Sequence, residues 1–502
     1  MDKCKTLMIQ GTGSSVGKSI IVTGLCRIFA RKGYKVAPFK AQNMALNSFI
    51  TREGKEMGRA QVVQAEAAMI QPHSDMNPVL IKPNSDTGAQ IIIHGEVYGN
   101  MTAVEYHKFK KRAKKYVIES FNKLSTEFDI IIIEGAGSPA EINLIENDIV
   151  NMGMAEIAEA PVILTGDIDK GGVFASLVGT IELLPDKDKN RVKAFLINKF
   201  RGDKNLLQPG LDAINKKTGI PFLGVIPYFK DIYIQEEDGV AVEAYVKKDL
   251  KFNDVKVAVL HLPHISNFTD FDALEKEPDV SLNYVSIGES LSDFDLLIIP
   301  GSKNTIDDLL KIKEVNFHKE IEKFLTNNGF LVGICGGFQM LGEKILDPYH
   351  VESFRDYVNG LNLLKFRTVM GKIKTTRQVK VVVNSSIDAL QSNDILKGYE
   401  IHMGKNEYFD NAYLFKNIED NTIDGLISEN GKILGSYIHG IFDNDNFRRK
   451  FINFIRISKG MDELPENFLF EYERFKEKGF NKLATYMEKN LDMNMLNKIM
   501  NL

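Results

Sequence analysis

The segment from Phe330 to Gly342 limits the possible folds of this chain more than any other stretch. Five mostly apolar residues lead directly into Cys335, two glycines follow, and an apolar pattern with helical spacing comes next. This order is typical of a buried strand that ends at a nucleophile and turns sharply into a helix. The N-terminus of such a helix stabilises a thiolate and can bind an oxyanion. A buried core cysteine is the alternative, but paired glycines, which open a strained turn to substrate, favour a catalytic one.

A thiol nucleophile needs a base, and His439 closes a later apolar run, Leu434 to Ile438. The histidine is therefore expected at a strand end, where the catalytic groups of open α/β sheets collect. A cysteine and a distant histidine that the fold brings together form the usual thiol–imidazole arrangement. His402 is a second candidate base, which we rank below His439.

The segment Gly333 to Gln339, together with His439, resembles the class I glutamine amidotransferase family. Pro300 to Thr305 resembles the loop that completes the oxyanion hole in that family. The resemblance implies a catalytic pair and a set of glutamine- or oxyanion-binding residues. The pair is Cys335 and His439, and the set is Gly301, Ser302, Gly336 and Gln339.

One position departs from the usual pattern of that family. Many members carry a glutamate two residues after the histidine, and here that residue is Ile441. The chain is similar in this to the cobyric acid synthase branch, in which a Cys–His pair works without that carboxylate. Asp443 and Glu400 are then open candidates for orienting His439.

Near the start of the chain, an apolar run from Thr6 to Gln10 precedes a glycine-rich loop that ends in Gly17-Lys18-Ser19, and apolar residues at helical spacing follow. Strand, glycine-rich loop and helix in this order predict a phosphate-binding loop. Backbone N–H groups surround the phosphate, Lys18 supplies a cation, and the Ser19 hydroxyl can bind Mg²⁺. A glycine-rich turn without function is the alternative.

This loop is a variant, because Thr12 stands where the strict motif has glycine. It resembles the dethiobiotin synthetase-like group, and it lacks the additional lysine of partition ATPases, since Gly13 stands there. The predicted ATP-binding residues are Thr12, Gly13, Gly17, Lys18, Ser19 and Asn198. For Asn198, contact with a purine and a simple turn remain equally good interpretations.

Two further polar sites follow predicted strands of the same half. Lys40, Gln42 and Asn43 come after a short strand and are expected to bind a polyanionic substrate, although a capped loop explains the same residues equally well. Glu134 ends the apolar run Asp129 to Ile133. A carboxylate at that point can hold Mg²⁺ against the nucleotide. An N-cap role is the alternative for Glu134.

The alternation of apolar runs and helical patterns predicts an α/β fold with a doubly wound parallel sheet in the N-terminal half. A polar region from Gln235 to Asp254 separates it from a second α/β unit. We therefore predict an ATP-dependent synthetase domain at 1–235, a linker at 236–253, a class I glutamine amidotransferase-like α/β domain at 254–445 and a helical tail at 446–502.

Bulk properties exclude several classes of protein. The net charge of −4 over 502 residues indicates neither a nucleic-acid nor a membrane partner. Three scattered cysteines are too few for a disulfide framework or a zinc site and fit a reducing cytoplasm. No apolar run approaches the ~20 residues that a membrane helix needs. We expect a cytoplasmic enzyme, whose oligomeric state the sequence leaves open.

The phosphate loop, the Cys335 segment and the His439 segment occur in this order along the chain, with further matching segments between them. Together they resemble, from residue 4 to about residue 445, the glutamine-hydrolysing cobyric acid synthase family of the cobalamin pathway. The resemblance implies that ATP with Mg²⁺ activates the b, d, e and g carboxylates of a corrinoid, adenosylcobyrinic acid a,c-diamide, as acyl phosphates. Ammonia released from glutamine then converts them to amides. An a,c-diamide synthase is the first rival, disfavoured by the Lys40 to Asn43 block. A partition-type ATPase is the second, disfavoured by Gly13 and Cys335.

Overall fold

The computed structural model describes residues 4–83, 88–237, 245, 247–384, 387, 390–391, 394–465 and 469–502. The chain forms two compact units. The first contains Met1–Ala45, Lys55–Gln235 and Arg474–Leu502, and the second contains Leu46–Gly54 and Glu236–Glu473. The domain boundaries expected from the sequence stay a prediction. No helix in the described ranges has both the length and the apolar character to cross a membrane.

A parallel sheet forms the centre of the first unit. Its strands, in spatial order, are Phe222–Pro227, Val192–Phe200, Val162–Asp167, Lys5–Gly11, Ile130–Glu134 and Val36–Phe39. Continuous apolar runs such as Ile130 to Ile133, all fully buried, are expected where helices cover both faces of a sheet. The chain order of these strands reverses on either side of Lys5–Gly11, which makes the sheet doubly wound.

Helices and a smaller sheet complete this unit. The helices are Lys18–Arg31, Arg59–Ala67, Ala103–Glu127, Met152–Ile157, Val173–Leu183, Asp186–Lys189, Lys204–Thr218, Tyr472–Asn490 from Arg474 onward, and Met493–Met500, with 3₁₀ turns at Ser74–Met76 and Ile142–Asn147. The smaller sheet orders Gln42–Met44, Val79–Pro83, Gly88–Ile93 and Glu96–Thr102. The short strand Glu56–Gly58 also belongs to this unit.

The C-terminal helices of the first unit pack closely against the rest of that unit at two glycines. A Cβ atom built at Gly24 would lie 2.0 Å from the Met487 sulfur, and one at Gly224 would lie 2.2 Å from the Asn490 carbonyl oxygen. Met487 is fully buried in the same apolar core as Leu25. Glycine at positions 24 and 224 therefore makes room for this part of the predicted helical tail.

The second unit has one large mixed sheet. Its strands, in spatial order, are Val280–Ser286, Val255–His261, Leu296–Ile299, Phe330–Ile334, Ile433–Ser436, Ile423–Ile427, Tyr413–Asn417, Phe366–Val383, Lys344–Leu346 and Tyr357–Asn359, with Leu396–Tyr408 paired to Phe366–Val383. The first five strands are mutually parallel, and most of the remaining pairs are antiparallel. The α/β architecture predicted for both halves of the chain is thus confirmed.

Shorter elements surround this sheet. The helices are Asp272–Glu275, Thr305–Glu314, Phe317–Thr326, Gly336–Leu341 and Asp445–Ser458, with 3₁₀ turns at Phe268–Phe271 and Ile441–Asp443. Ile265–Ser266 pairs antiparallel with Gly301–Ser302, and Ser48–Ile50 is a further short strand. Three neighbouring parallel strands, ending at Ile299, Ile334 and Ser436, direct the chain segments that follow them to one edge of the sheet.

Candidate active sites

Cys335 lies at a strained turn between strand and helix in the second unit. Its backbone angles are φ 52° and ψ −107°, a region that non-glycine residues rarely adopt. Its N–H donates to the Ser436 carbonyl at 2.8 Å, and its own carbonyl accepts from the Gln339 N–H at 3.0 Å. These bonds hold the turn between the sheet and the helix Gly336–Leu341, the geometry of a nucleophile elbow.

The two glycines after Cys335 allow this elbow to pack directly on the loop that follows Ile299. A Cβ atom at Gly337 would lie 1.9 Å from the Ile299 carbonyl oxygen, and one at Gly336 would lie 2.9 Å from the Ser302 nitrogen. Neither contact is compatible with a larger residue. The fold therefore brings Gly336 beside Ser302, two of the predicted oxyanion-binding residues.

Side chains hold the Gly301–Ser302 loop in this position. The Ser302 hydroxyl donates to Asp308 Oδ2 at 2.6 Å and accepts from the Asn304 N–H at 3.0 Å. Asp308 Oδ1 also bonds His264 Nδ1 at 2.8 Å, and this bond raises the pKa of His264. His264 thus supports the loop through Asp308.

His439 is fixed by contacts on its edge and on one ring face. Its Nδ1 lies 2.6 Å from Asp270 Oδ2, and the Gly440 N–H donates to Asp270 Oδ1 at 3.1 Å. The Tyr399 ring stacks on the imidazole, with centroids 5.2 Å apart and planes 18° from parallel. Both carboxylate oxygens of Asp270 are therefore used, and His439, only 1% exposed, has a defined ring orientation.

The charges around His439 decide its protonation. Burial by itself disfavours the imidazolium, but the negative charges of Asp270 and of an ionised Cys335 outweigh it and raise the pKa of His439 to about 10. Because Cys335 contributes to this pKa, its side chain lies within interaction distance of the imidazole. Among the residues that the structure describes, none forms a hydrogen bond with His439 Nε2. The site thus combines a thiol with an imidazole that keeps its proton at neutral pH.

Asp270 is the carboxylate that contacts His439 directly, whereas the sequence offered Asp443 and Glu400 as candidates. Glu400 is engaged elsewhere, since its carboxylate accepts from Arg377 at 2.9 and 3.1 Å. Asp270 lies in the 3₁₀ turn Phe268–Phe271, 169 positions before His439. The only sequence signal was its place in the loop after the strand Val255–His261, and that signal does not indicate a partner.

Gln339 lies in a buried polar cluster beside the elbow. Its Nε2 donates to the Tyr437 hydroxyl at 3.2 Å, and that hydroxyl donates to Asn406 Oδ1 at 2.7 Å. The His402 ring stacks on Tyr437 with centroids 3.8 Å apart. The Cys335 sulfur contacts the Ile401 carbonyl at 3.5 Å, so the cluster adjoins Cys335. A role of Gln339 in binding glutamine stays a prediction.

The predicted phosphate loop of the first unit has a defined conformation. Gly17 has φ 96°, and Lys18 Nζ donates to the carbonyls of Gly13 at 2.9 Å and Gly137 at 3.1 Å. Asn198 Nδ2 donates to the Val16 carbonyl at 2.9 Å. Asn198 therefore contacts the loop itself, and Lys18 lies at the centre of the cradle, where a cation can meet phosphate oxygens. Thr12 N–H donates to the Thr165 carbonyl at 2.9 Å, which ties the loop to the sheet.

Glu134 is the buried carboxylate of this site. Its Oε1 accepts from the Ser19 hydroxyl at 2.9 Å and from Lys40 Nζ at 2.8 Å, and its Oε2 accepts from Gln64 Nε2 at 2.5 Å. Burial favours the neutral acid, but the charge of Lys40 and these hydrogen bonds keep the pKa of Glu134 below its usual range. Gln64 was not singled out from the sequence.

The residues present fit a magnesium ion bound together with a nucleotide. Ser19 and Glu134 offer a hydroxyl and a carboxylate oxygen 2.9 Å apart, and Mg²⁺ prefers oxygen ligands. Within the described residues, no group of three or more His, Cys, Asp or Glu side chains is arranged to hold a metal. The remaining ligands would thus be water and phosphate, as is usual for Mg²⁺ in nucleotide sites.

The other predicted substrate contacts are held by neighbouring side chains. Gln42 Oε1 accepts from the Tyr106 hydroxyl at 2.6 Å, and Asn43 Nδ2 donates to Gln61 Oε1 at 3.0 Å. Asn43 is 2% exposed. Lys40 is the member of this group that reaches the nucleotide site, through Glu134. Binding of substrate by these three residues stays a prediction.

Comparison with known proteins gives consistent matches over both halves of the chain. Residues 7–242 match the CobQ/CobB/MinD/ParA nucleotide binding domain, and residues 256–447 match the CobB/CobQ-like glutamine amidotransferase domain. A cobyric acid synthase of Thermoanaerobacter sp. (strain X514) is 50% identical over 503 residues, 98% of each chain. One of Clostridium botulinum (strain Langeland / NCTC 10281 / Type F) is 52% identical over 499 residues, 98% of this chain and 99% of that protein.

Proposed function

The chain belongs to the cobyric acid synthase family, glutamine-dependent ligases of cobalamin biosynthesis, and on that premise we propose the following reaction. The substrate is adenosylcobyrinic acid a,c-diamide, and its b, d, e and g carboxylates become amides. ATP activates each carboxylate and glutamine supplies the nitrogen. The proposal rests on the presence, in one chain, of a Cys335–His439–Asp270 arrangement and a phosphate loop backed by Glu134.

In the glutaminase half, the Cys335 thiolate attacks the side-chain carboxamide carbon of glutamine. Backbone N–H groups of the elbow and of the Gly301–Ser302 loop stabilise the negative charge that develops on the oxygen. The His439 imidazolium gives its proton to the nitrogen, the C–N bond breaks and ammonia leaves. Water then attacks the thioester carbon and gives a proton back to the His439 imidazole, the C–S bond breaks, and glutamate and the thiolate are released.

Asp270 contributes to this half by holding the imidazole. Its hydrogen bond to Nδ1 keeps a proton on that nitrogen and directs Nε2 toward the sulfur. Its negative charge also stabilises the imidazolium that donates the proton. A buried aspartate from a different part of the chain thus supplies the acid that many class I amidotransferases carry two residues after the histidine.

In the synthetase half, a carboxylate must first be activated, because oxide is a poor leaving group. A carboxylate oxygen of the substrate attacks the γ-phosphorus of ATP, and ADP leaves. Ammonia then attacks the carbonyl carbon of the acyl phosphate, phosphate leaves with the bonding electrons, and the nitrogen releases a proton. Phosphorylation has replaced the poor leaving group by a good one.

Residues of the first unit have separate roles in this half. Lys18 stabilises the phosphoryl group during transfer, and Lys40 stabilises the acyl phosphate. Ser19 and Glu134 would hold Mg²⁺, which would neutralise phosphate charge. Asn198 keeps the loop in shape through Val16.

Two variants and two nitrogen sources test the proposal. Cys335→Ala should abolish amidation with glutamine and leave amidation with ammonium salts unchanged, because only the release of ammonia needs the thiol. Lys18→Ala should abolish amidation with either source. Products are identified by mass spectrometry of the corrinoids. Amidation of cobyrinic acid but not of its a,c-diamide would contradict the proposed substrate, and loss of both activities in Cys335→Ala would mean that the cysteine is structural.

A further inference from the structure

The two oxygens of the Glu134 carboxylate have different partners. Oε1 accepts from Ser19 and from Lys40, at 2.9 and 2.8 Å, whereas Oε2 accepts from Gln64 at 2.5 Å. The pair is well shielded, since the side chain of Glu134 is 1% exposed and that of Lys40 is 12% exposed. Oε1 is thus the oxygen next to Ser19, which a cation bound to both residues would use.

Lys40 takes one of the two hydrogen-bonding positions of that oxygen. A carboxylate oxygen offers about two lone pairs in its plane, and Ser19 and Lys40 together use both. A divalent ion lying about 2.1 Å from Oε1 would lie within a few ångströms of the Lys40 ammonium. Repulsion between the two cations is strong in a buried site, because the effective dielectric constant is low.

We propose that Lys40 and the metal ion occupy Glu134 Oε1 alternately, while Gln64 holds Oε2 in place during the exchange. Without metal, the ammonium neutralises the buried carboxylate. When Mg²⁺ arrives with ATP, the ammonium is displaced and becomes available to the substrate carboxylate that is to be phosphorylated. This inference rests on the proposed function, since it takes Ser19 and Glu134 as the metal ligands.

The surrounding contacts allow this exchange by side-chain motion alone. The Lys40 N–H donates to the Met76 carbonyl at 2.9 Å, and its carbonyl accepts from Asn77 Nδ2 at 3.2 Å. The backbone of Lys40 is therefore fixed on both sides, and a long flexible side chain extends from it. Breaking the ion pair between Lys40 and Glu134 costs little free energy once the metal supplies the positive charge at the carboxylate.

Gln64 is suited to holding the carboxylate in place, because its side chain is enclosed by the protein. It lies on the helix Arg59–Ala67 and is fully buried. Its bond to Oε2 keeps the carboxylate from rotating, so Oε1 continues to face Ser19. Gln64 is therefore a positioning residue for the metal site, whereas Lys40 competes with the metal. Their removal should change metal affinity in opposite directions, which a general structural defect would not do.

The experiment measures the dissociation constant of Mn²⁺ from the full-length enzyme saturated with a non-hydrolysable ATP analogue, by the EPR signal of free Mn²⁺. In Lys40→Met the competing ammonium is absent, so Mn²⁺ should bind about tenfold more tightly, the equivalent of one charge-assisted hydrogen bond. In Gln64→Met the carboxylate is no longer held, so Mn²⁺ should bind about tenfold more weakly.

Gln61→Met is the matched control. Gln61 lies on the same helix and is equally buried, but its side chain bonds Asn43 rather than Glu134. We expect wild-type Mn²⁺ affinity in this variant. If Lys40→Met fails to fold because Glu134 is left unpaired, Lys40→Gln removes the charge while keeping a donor, and tighter binding is expected again.

The outcomes separate the two proposals. No specific Mn²⁺ binding by the wild type would overturn the metal assignment in the proposed function. Binding by the wild type with equal or weaker binding by the Lys40 variants would overturn the exchange alone. Equal effects of Gln64→Met and Gln61→Met would overturn the positioning role of Gln64.

Discussion

Replacement of Asp270 by asparagine tests the arrangement at His439 most directly. The change removes a buried negative charge 2.6 Å from Nδ1 while the volume stays nearly constant. A nearby opposite charge shifts a pKa by about 1 to 3 units, and each unit corresponds to ~1.4 kcal/mol. In the proposed mechanism this imidazolium donates its proton to the departing amide nitrogen. Asp270→Asn therefore destabilises the imidazolium by about 1.4 to 4 kcal/mol, and glutaminase kcat/KM should fall by roughly 10- to 1,000-fold.

The pH profile gives the same substitution a second readout. Because the pKa of His439 is raised to about 10, its proton is present at neutral pH and is lost as the pH rises through about 10. Wild-type glutaminase activity should decline on that alkaline side. In Asp270→Asn the alkaline decline should begin at lower pH. Release of ammonia from glutamine, followed with glutamate dehydrogenase between about pH 6 and 10.5, measures both quantities.

The control is amidation driven by ammonium chloride, which should stay at the wild-type rate in Asp270→Asn. If Asp270→Asn keeps wild-type glutaminase activity and its activity declines at the same alkaline pH as that of the wild type, the proposed role of Asp270 is refuted. That result would show that Asp270 neither stabilises the imidazolium nor fixes its tautomer. A loss of ammonium-driven amidation as well would indicate a folding defect. The pH profile of the remaining glutaminase activity would then decide whether Asp270 raises the pKa of His439.

Two more predictions concern packing and buried charge in the second unit. Gly337→Ala should lower glutaminase activity by roughly 100-fold and leave ammonium-driven amidation intact, since its Cβ would lie 1.9 Å from the Ile299 oxygen. Gly179→Ala, in a helix of the first unit, is the control and should retain activity, because its added Cβ would meet no described atom within 4 Å apart from the backbone of its own helix and its chain neighbours. Burial, and then the charge of Glu400, raise the pKa of Asp424 to about 7. The folded state therefore holds this proton more tightly than the unfolded chain, and the resulting stability, up to about 4 kcal/mol, is lost as the pH rises toward and through 7. Asp424→Asn should show a smaller fall in Tm between about pH 5 and pH 8 than the wild type; an equal fall would contradict the raised pKa.

Local sequence patterns were enough to predict the main elements of both sites. The apolar run before Cys335 and the glycines after it predict the strand Phe330–Ile334 and the helix Gly336–Leu341, both of which are present. The run before Glu134 likewise predicts the strand Ile130–Glu134. These predictions succeed because strand, turn and helix are local, and the residue types that form them are adjacent in the chain.

The partners of the functional side chains depend on tertiary structure. Asp270 and His439 are 169 positions apart, and Gln64 and Glu134 are 70 positions apart. Neither Asp270 nor Gln64 belongs to a local motif. The positions of these two residues depend on the order of strands in each sheet and on the packing of the helix Arg59–Ala67. Both depend on contacts between segments that are distant in the chain. The sequence alone therefore predicted Cys335 as the nucleophile, His439 as its base and the phosphate loop. Asp270 and Gln64, which contact residues of the predicted sites, are brought there only by the packing of distant segments.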